Sequence, residues 1–149
     1  MGLPTGYIVR RYDDAKDRAY IATTWLHTAH DLAFFQGTPD RLYYPEMQKV
    51  IEKVLENPRC TIAVVADKDD PDFIIGWLCA WVLPEISIAW YAYTRSRWRK
   101  RGIASHLVST MPGETRSAVF TSRIARKLVK KNHLVRYPTL IFKVLQNDF

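Results

Sequence analysis

Arg99-Lys100-Arg101-Gly102-Ile103-Ala104 separates a strand-like run, Ile86 to Thr94, from an apolar helical run that closes near Met111. A chain that leaves an extended segment through basic residues and a glycine, then turns directly into a helix, presents several unpaired backbone N–H groups at the positive end of a helix dipole. Such a turn is an anion site, most naturally for a phosphate. The residue types suit that purpose: Gly102 lets the backbone come close to a ligand, the small Ala104 keeps a side chain out of the way, and Arg99, Lys100 and Arg101 supply compensating charge. The plainer alternative is a basic helix start that faces only solvent or a carboxylate of the sheet.

Downstream, the helix Gly102 to Met111 buries Ile103, Leu107 and Val108 and stops at Pro112 and Gly113. Ala118 to Thr121 reads as a short strand. Ser122 to Lys131 reads as a fourth helix with Ile124, Ala125, Leu128 and Val129 inward, and Leu134 to Leu145 as a last strand broken at Pro138. Upstream, Thr61 to Ala66 and Phe73 to Leu83 form a hairpin around the acidic turn Asp67 to Asp72, and Pro84 and Glu85 break the run before the fourth strand, which alternates only loosely. Met47, Val50, Ile51, Val54 and Leu55 recur at helical spacing behind Pro45, which suits a first helical position. Phe34 to Tyr44 reads as an aromatic loop. Ile21, Trp25 and Ala29 form the stripe of a first helix that begins near Ala15 under an Asp13–Asp14 cap, after a first strand at Tyr7 to Tyr12.

With 149 residues and 48% hydrophobic content the chain is expected to make one domain, 1–149, around one core. No apolar run approaches the roughly 18 residues that span a bilayer, and Tyr7 to Asp14 lacks a signal-peptide pattern, so a soluble, cytoplasmic protein without membrane partners is expected. Cys60 and Cys79 lack zinc-site spacing and partner histidines; they read as buried free thiols, and no metal is expected. The charge of +7 is uneven: 13 Lys and Arg against 2 acids from Ile86 onward give +11, while 9 against 13 before it give −4. Such a gradient steers an acidic ligand, an acidic protein or a nucleic acid to the C-terminal half, or simply marks a solvated helix face along Arg123 to Lys131.

The order strand, basic turn, helix, strand, helix, strand, with Arg99 to Ala104 fitting Arg/Gln, any, any, Gly, any, Gly/Ala, resembles the GNAT superfamily of acyl-CoA N-acyltransferases across nearly the whole chain. Trp98 stands where that family commonly has an aromatic residue, and Thr94 where it usually has valine. The resemblance implies an α/β fold: a mixed, mostly antiparallel sheet splayed between strands 4 and 5, with about four helices on its two faces. It implies acetyl-CoA as cofactor, its pyrophosphate held by Arg99, Lys100, Arg101, Gly102, Ile103 and Ala104 with a hydroxyl contact from Ser105, and its pantetheine arm bonded to the backbone of Tyr93 and Thr94. The family's fourth-helix pattern is met by Ala125 and Leu128 but not at Ser122 and Val129, where asparagine and the proton-donating tyrosine are usual. The block Trp25 to Tyr44, with Asp69 to Asp72 and Ile75-Gly76-Trp77, is also similar to small GNAT-like proteins of tailed bacteriophages.

Acyl transfer from a thioester to an amine by direct attack needs a neutral amine, a polarised carbonyl and a protonated leaving thiolate, but no protein nucleophile. Glu85, the carboxylate nearest the fourth strand, is the candidate base, and Tyr137 the candidate substitute for the missing acid. A solvated turn acid and an ordinary core or edge tyrosine are their respective alternatives. His27 and His30 read as water-facing, and His106 as near the cofactor. Phe34, Phe35, Tyr43 and Tyr44 of the first loop are the preferred acceptor contacts, ahead of Trp90, Tyr91 and Tyr93 on the fourth strand. The acceptor is an amine-bearing small molecule or macromolecule, and the protein a monomer or homodimer. Two further functions compete: a GNAT-shaped coenzyme A-binding or regulatory protein without turnover, and a nucleic-acid-directed protein, for which no recognised motif is present.

Overall fold

The computed structural model describes residues 3–32 and 35–112, with the backbone of 115–118 and 135–136. Its elements run β1 (Tyr7–Arg11), α1 (Asp14–Ala29), α2 (Asp40–Glu56), β2 (Cys60–Asp67), β3 (Ile74–Val82), β4 (Ile86–Thr94), a 3-10 turn (Ser96–Trp98), α3 (Ile103–Ser109), β5 (Thr115–Ala118) and β6 (Val135–Arg136). The strands form one sheet in the order β1-β2-β3-β4-β5-β6, antiparallel from β1 to β4 and parallel at β4–β5 and β5–β6. This is the mixed, mostly antiparallel sheet expected.

Helices cover both faces. Ile21, Trp25 and Ala29 of α1 and Met47, Val50, Ile51 and Val54 of α2 pack with Val64, Trp77, Cys79, Trp81, Ile88 and Trp90 on one face. On the other, Ile103, Leu107 and Val108 of α3 pack against Val65, Ile75, Leu78, Ala80 and Ala89. With only seven residues, α3 has no stability of its own. Its three fully buried apolar side chains, each worth about 1.5–3 kcal/mol, hold it in place. Trp77 Nε1 donates to Thr24 Oγ1 at 3.0 Å and Trp81 Nε1 to the Val54 carbonyl at 3.1 Å, so both helices of the first face are also tied to β3 by hydrogen bonds.

Two expectations shift. The second helix begins at Asp40, five residues before Pro45, so Tyr43 and Tyr44 are helical and do not belong to a loop. Tyr43 is buried, donates its hydroxyl to the Leu26 carbonyl at 2.6 Å and stacks on His30 at 4.3 Å; this packing stabilises a first turn that Pro45 cannot support through a backbone N–H. The fifth strand occupies Thr115–Ala118, three residues earlier than read. Of the last strand only Val135–Arg136 is described, and the helix expected at 122–131 lies outside the described residues. Among the described residues no helix is long and apolar enough to cross a membrane.

Candidate cofactor cleft

The cleft is built by an irregularity in β4. Cys79 pairs with Tyr91 but the next residue of β3, Ala80, pairs with Ala89, so Trp90 is an extra residue in β4. A bulge bends a strand and raises its twist. It also turns two successive side chains to the same side: Trp90 and Tyr91 both meet the α1/α2 layer, as do Ile88 and Tyr93, while Ala89 and Ala92 face α3. The described ladder to β5 covers Ile86 to Ala89. Among the described residues, no strand pairs with Trp90 to Thr94 on that edge.

Past the C-terminal end of β4 the chain passes through the 3-10 turn to Lys100 and Gly102, both left-handed at φ 64° and 80°. Among the described residues, the N–H groups of Lys100, Arg101, Gly102, Ile103, Ala104 and Ser105 have no hydrogen-bond partner, and the first intrahelical bond is His106 N–H to the Gly102 carbonyl at 2.9 Å. The start of any helix leaves four such donors; here two further residues before it, Lys100 and Arg101, do the same. A non-glycine residue in the left-handed region is uncommon, and Lys100 extends the run of open donors by adopting it. A Cβ placed on Gly102 would meet nothing within 4 Å, so the space above the turn is open.

Neighbouring packing sets the place of this turn. A Cβ on Gly76 would lie 2.9 Å from the Tyr93 carbonyl oxygen and 3.2 Å from Ile103 Cγ2, so the glycine is what lets α3 begin hard against β3 and β4. Arg95 is withdrawn from the basic surface: its guanidinium lies 5.0 Å from the Tyr20 ring and 4.3 Å from the Phe73 ring, and its Nε donates to the Ile74 carbonyl. Arg99 Nε donates to the Thr94 carbonyl at 3.0 Å and Arg101 to the Tyr7 hydroxyl at 3.1 Å. The charge gradient thus overcounts the cations facing the turn.

Along the α1/α2 side, Tyr91 stacks on Trp25 at 5.6 Å and shares a 2.8 Å hydrogen bond with Thr28 Oγ1. Burial raises its phenol above the ordinary range, the Thr28 contact opposing, so the hydroxyl keeps its proton at neutral pH. Tyr20 is pushed up to about 12, again by burial.

Arg99 to Ser105 therefore come together in one turn, with Tyr93 and Thr94 leading into it. Glu85 does not join them. It sits exposed before the first residue of β4, a full nine-residue strand or about 30 Å from the turn. Tyr137 and Phe34 lie outside the described residues. His27 is exposed, as read, but half-buried His30 stacks on Tyr43, with its Nε2 3.5 Å from Asp40. The bulge was missed by sequence reasoning; its only trace was the loose alternation of Ile86 to Thr94.

No family model and no curated protein sequence matches this chain. Solved structures do. The chain is similar to a histone acetyltransferase HPA2 and related acetyltransferase from Corynebacterium glutamicum ATCC 13032, with 17% identity, 86% of this chain and 84% of that chain covered, and a TM-score of 0.62. It is similar to the aminoglycoside acetyltransferase meta-AAC0020 from an uncultured soil metagenomic sample, with 13% identity, 86% of each chain covered and a TM-score of 0.52. It is also similar to AAC(6')-Iy in complex with the bisubstrate analogue CoA-S-monomethyl-acetylneamine, with 12% identity, 84% and 88% covered and a TM-score of 0.51. At these identities the likeness is one of fold, and the fold is that of the GNAT acetyltransferases.

Proposed function

We propose that the protein is an N-acyltransferase that moves an acetyl group from coenzyme A to an amine-bearing acceptor. One observation carries this reading: six successive backbone N–H groups, Lys100 to Ser105, have no partner among the described residues.

The residues present fit the cofactor that the fold implies. Coenzyme A, when bound, supplies an activated acyl thioester. Arg99 through Ser105 hold its pyrophosphate, with the open space at Gly102 admitting the ligand and Lys100 adding charge. Thr94 offers its backbone N–H to the pantetheine arm, its carbonyl already accepting from Arg99 Nε, while the Tyr93 carbonyl is turned toward Gly76 of β3. Tyr91 and Tyr93 line the acceptor side, with the Tyr91 hydroxyl fixed by Thr28. Positioning alone can contribute several kcal/mol to direct attack, so the chain needs no covalent nucleophile. Glu85 is too remote from the bulge to take the amine's proton directly, which assigns that proton to water; Tyr137 remains the proposed donor to the leaving thiolate.

The test is calorimetry with coenzyme A and acetyl-CoA, followed by a thiol-release assay over a panel of amines that includes aminoglycosides. Saturable binding with acceptor-dependent thiol release is expected. No binding at about 1 mM cofactor ends the reading. Binding without release for any amine replaces it with the non-catalytic coenzyme A-binding protein.

A further inference from the structure

Cys60 opens β2 and Cys79 lies in β3, and their Sγ atoms are 3.6 Å apart. They are not register partners: Cys60 pairs with Trp81 and Cys79 with Ile62, so the two thiols meet diagonally on the α1/α2 face of the sheet. The pair is asymmetric. Cys60 is half-exposed and Cys79 fully buried. Among the described residues no group of three or more metal-ligating side chains is present, so nothing else competes for these sulfurs.

We propose that Cys60 and Cys79 form a thiol-disulfide exchange site for low-molecular-weight disulfides, with Cys60 as the attacking sulfur and Cys79 as the resolving one. The Cys60 thiolate attacks one sulfur of a disulfide R–S–S–R, forming a mixed disulfide and releasing one thiolate. Cys79 then loses its proton to that thiolate and attacks Cys60 Sγ, breaking the mixed bond and releasing the second thiolate, which takes up from water the proton that Cys60 gave up on ionising. The sum is one internal disulfide and two R–SH, with the two cysteine sulfurs oxidised and the small disulfide reduced.

Three features assign the order. Cys60 is the less buried of the two. The contact with Cys79 lowers the pKa of the Cys60 thiol against the opposing effect of burial, and the Arg18 guanidinium adds to the lowering, whereas burial pushes the Cys79 thiol up. Finally, the two sulfurs already stand 3.6 Å apart, against about 2 Å in a disulfide. The second cysteine faces Tyr91 across the ladder, beside the Trp90 bulge.

Glutathione disulfide added to the reduced, folded protein is the probe. Both thiols should become unreactive to a thiol reagent, the intact mass should fall by two hydrogens, and a non-reduced digest should contain a Cys60–Cys79 linked peptide that a dithiol reductant dissolves. Cys79→Ala should stop at the glutathione adduct on Cys60, and Cys60→Ser should react at least about tenfold more slowly. Wild-type protein that keeps two free thiols, stops at the adduct or links only between chains overturns the proposal, and those readings need no variant to fold.

Discussion

Gly76 and Ile103 meet across the β3–α3 junction so closely that a methyl group on the glycine would stand 3.2 Å from Ile103 Cγ2. The same methyl would stand 2.9 Å from the Tyr93 carbonyl oxygen, a backbone atom that cannot swing away. Ile103 is the first residue of α3, so whatever displaces it also displaces the run of open N–H groups. Gly76→Ala is expected to cost about 1–3 kcal/mol in chemical denaturation and to weaken coenzyme A binding at least about tenfold by calorimetry. Lost stability with unchanged affinity would separate the glycine from the cleft.

Gly102 is the opposite case, since its surroundings are empty and only its backbone angle is demanding. Placing a side chain at φ 80° costs about 1–2 kcal/mol, which the fold can absorb, while a large ring fills the space assigned to the pyrophosphate. Gly102→Trp should therefore keep the wild-type circular dichroism spectrum and lose measurable coenzyme A binding. Retained affinity would remove the turn from the cofactor site.

Glu85, the carboxylate that chain position favours, is exposed just before β4, at the opposite end of that strand from the turn. Glu85→Gln is expected to leave kcat/KM for acyl transfer within about twofold of wild type. A loss of a hundredfold or more would restore it as a base and require the acceptor to bind at the start of β4.

The sequence made the antiparallel strands and the basic turn legible because each has a local cause. Ile86 to Thr94 is an apolar run bounded by Pro84 and Arg95, and the structure gives the strand those same ends. What local pattern could not express was registration between elements. Trp90 is a bulge only because of how β3 lies beside it, and Cys60 finds Cys79 only once the hairpin register is set. The start of α2 was misplaced for the same kind of reason: Pro45 favours a first helical turn, but Tyr43 packed on α1 and bonded to Leu26 outweighs that preference. Arg95 counts toward the C-terminal positive charge, but Tyr20 of α1 and Phe73, just before β3, close on it.

Another such pairing fixes the first layer of the fold. Arg10 of β1 donates two hydrogen bonds, at 2.7 and 2.8 Å, to the carboxylate of Asp17 in α1, and its Nε donates to the Pro71 carbonyl of the hairpin turn at 2.7 Å. Asp17 also accepts from the Asp13 N–H at 2.8 Å, and its side chain is only 3% exposed. Arg10→Leu leaves that buried carboxylate without its cation, a loss of about 3 kcal/mol in urea unfolding at pH 7. The Arg10 hydrogen bond is the main cause that holds Asp17 below the usual carboxylate range, against the cost of burial. A carboxylate depressed in the folded state stabilises it fully above the unfolded pKa, about 3.9, and loses that contribution as pH falls through the folded value. Wild-type stability should therefore drop steeply below about pH 4, and the drop should be shallower in Arg10→Leu. Parallel acid limbs for the two proteins would show that the pair is not what links Asp17 to folding.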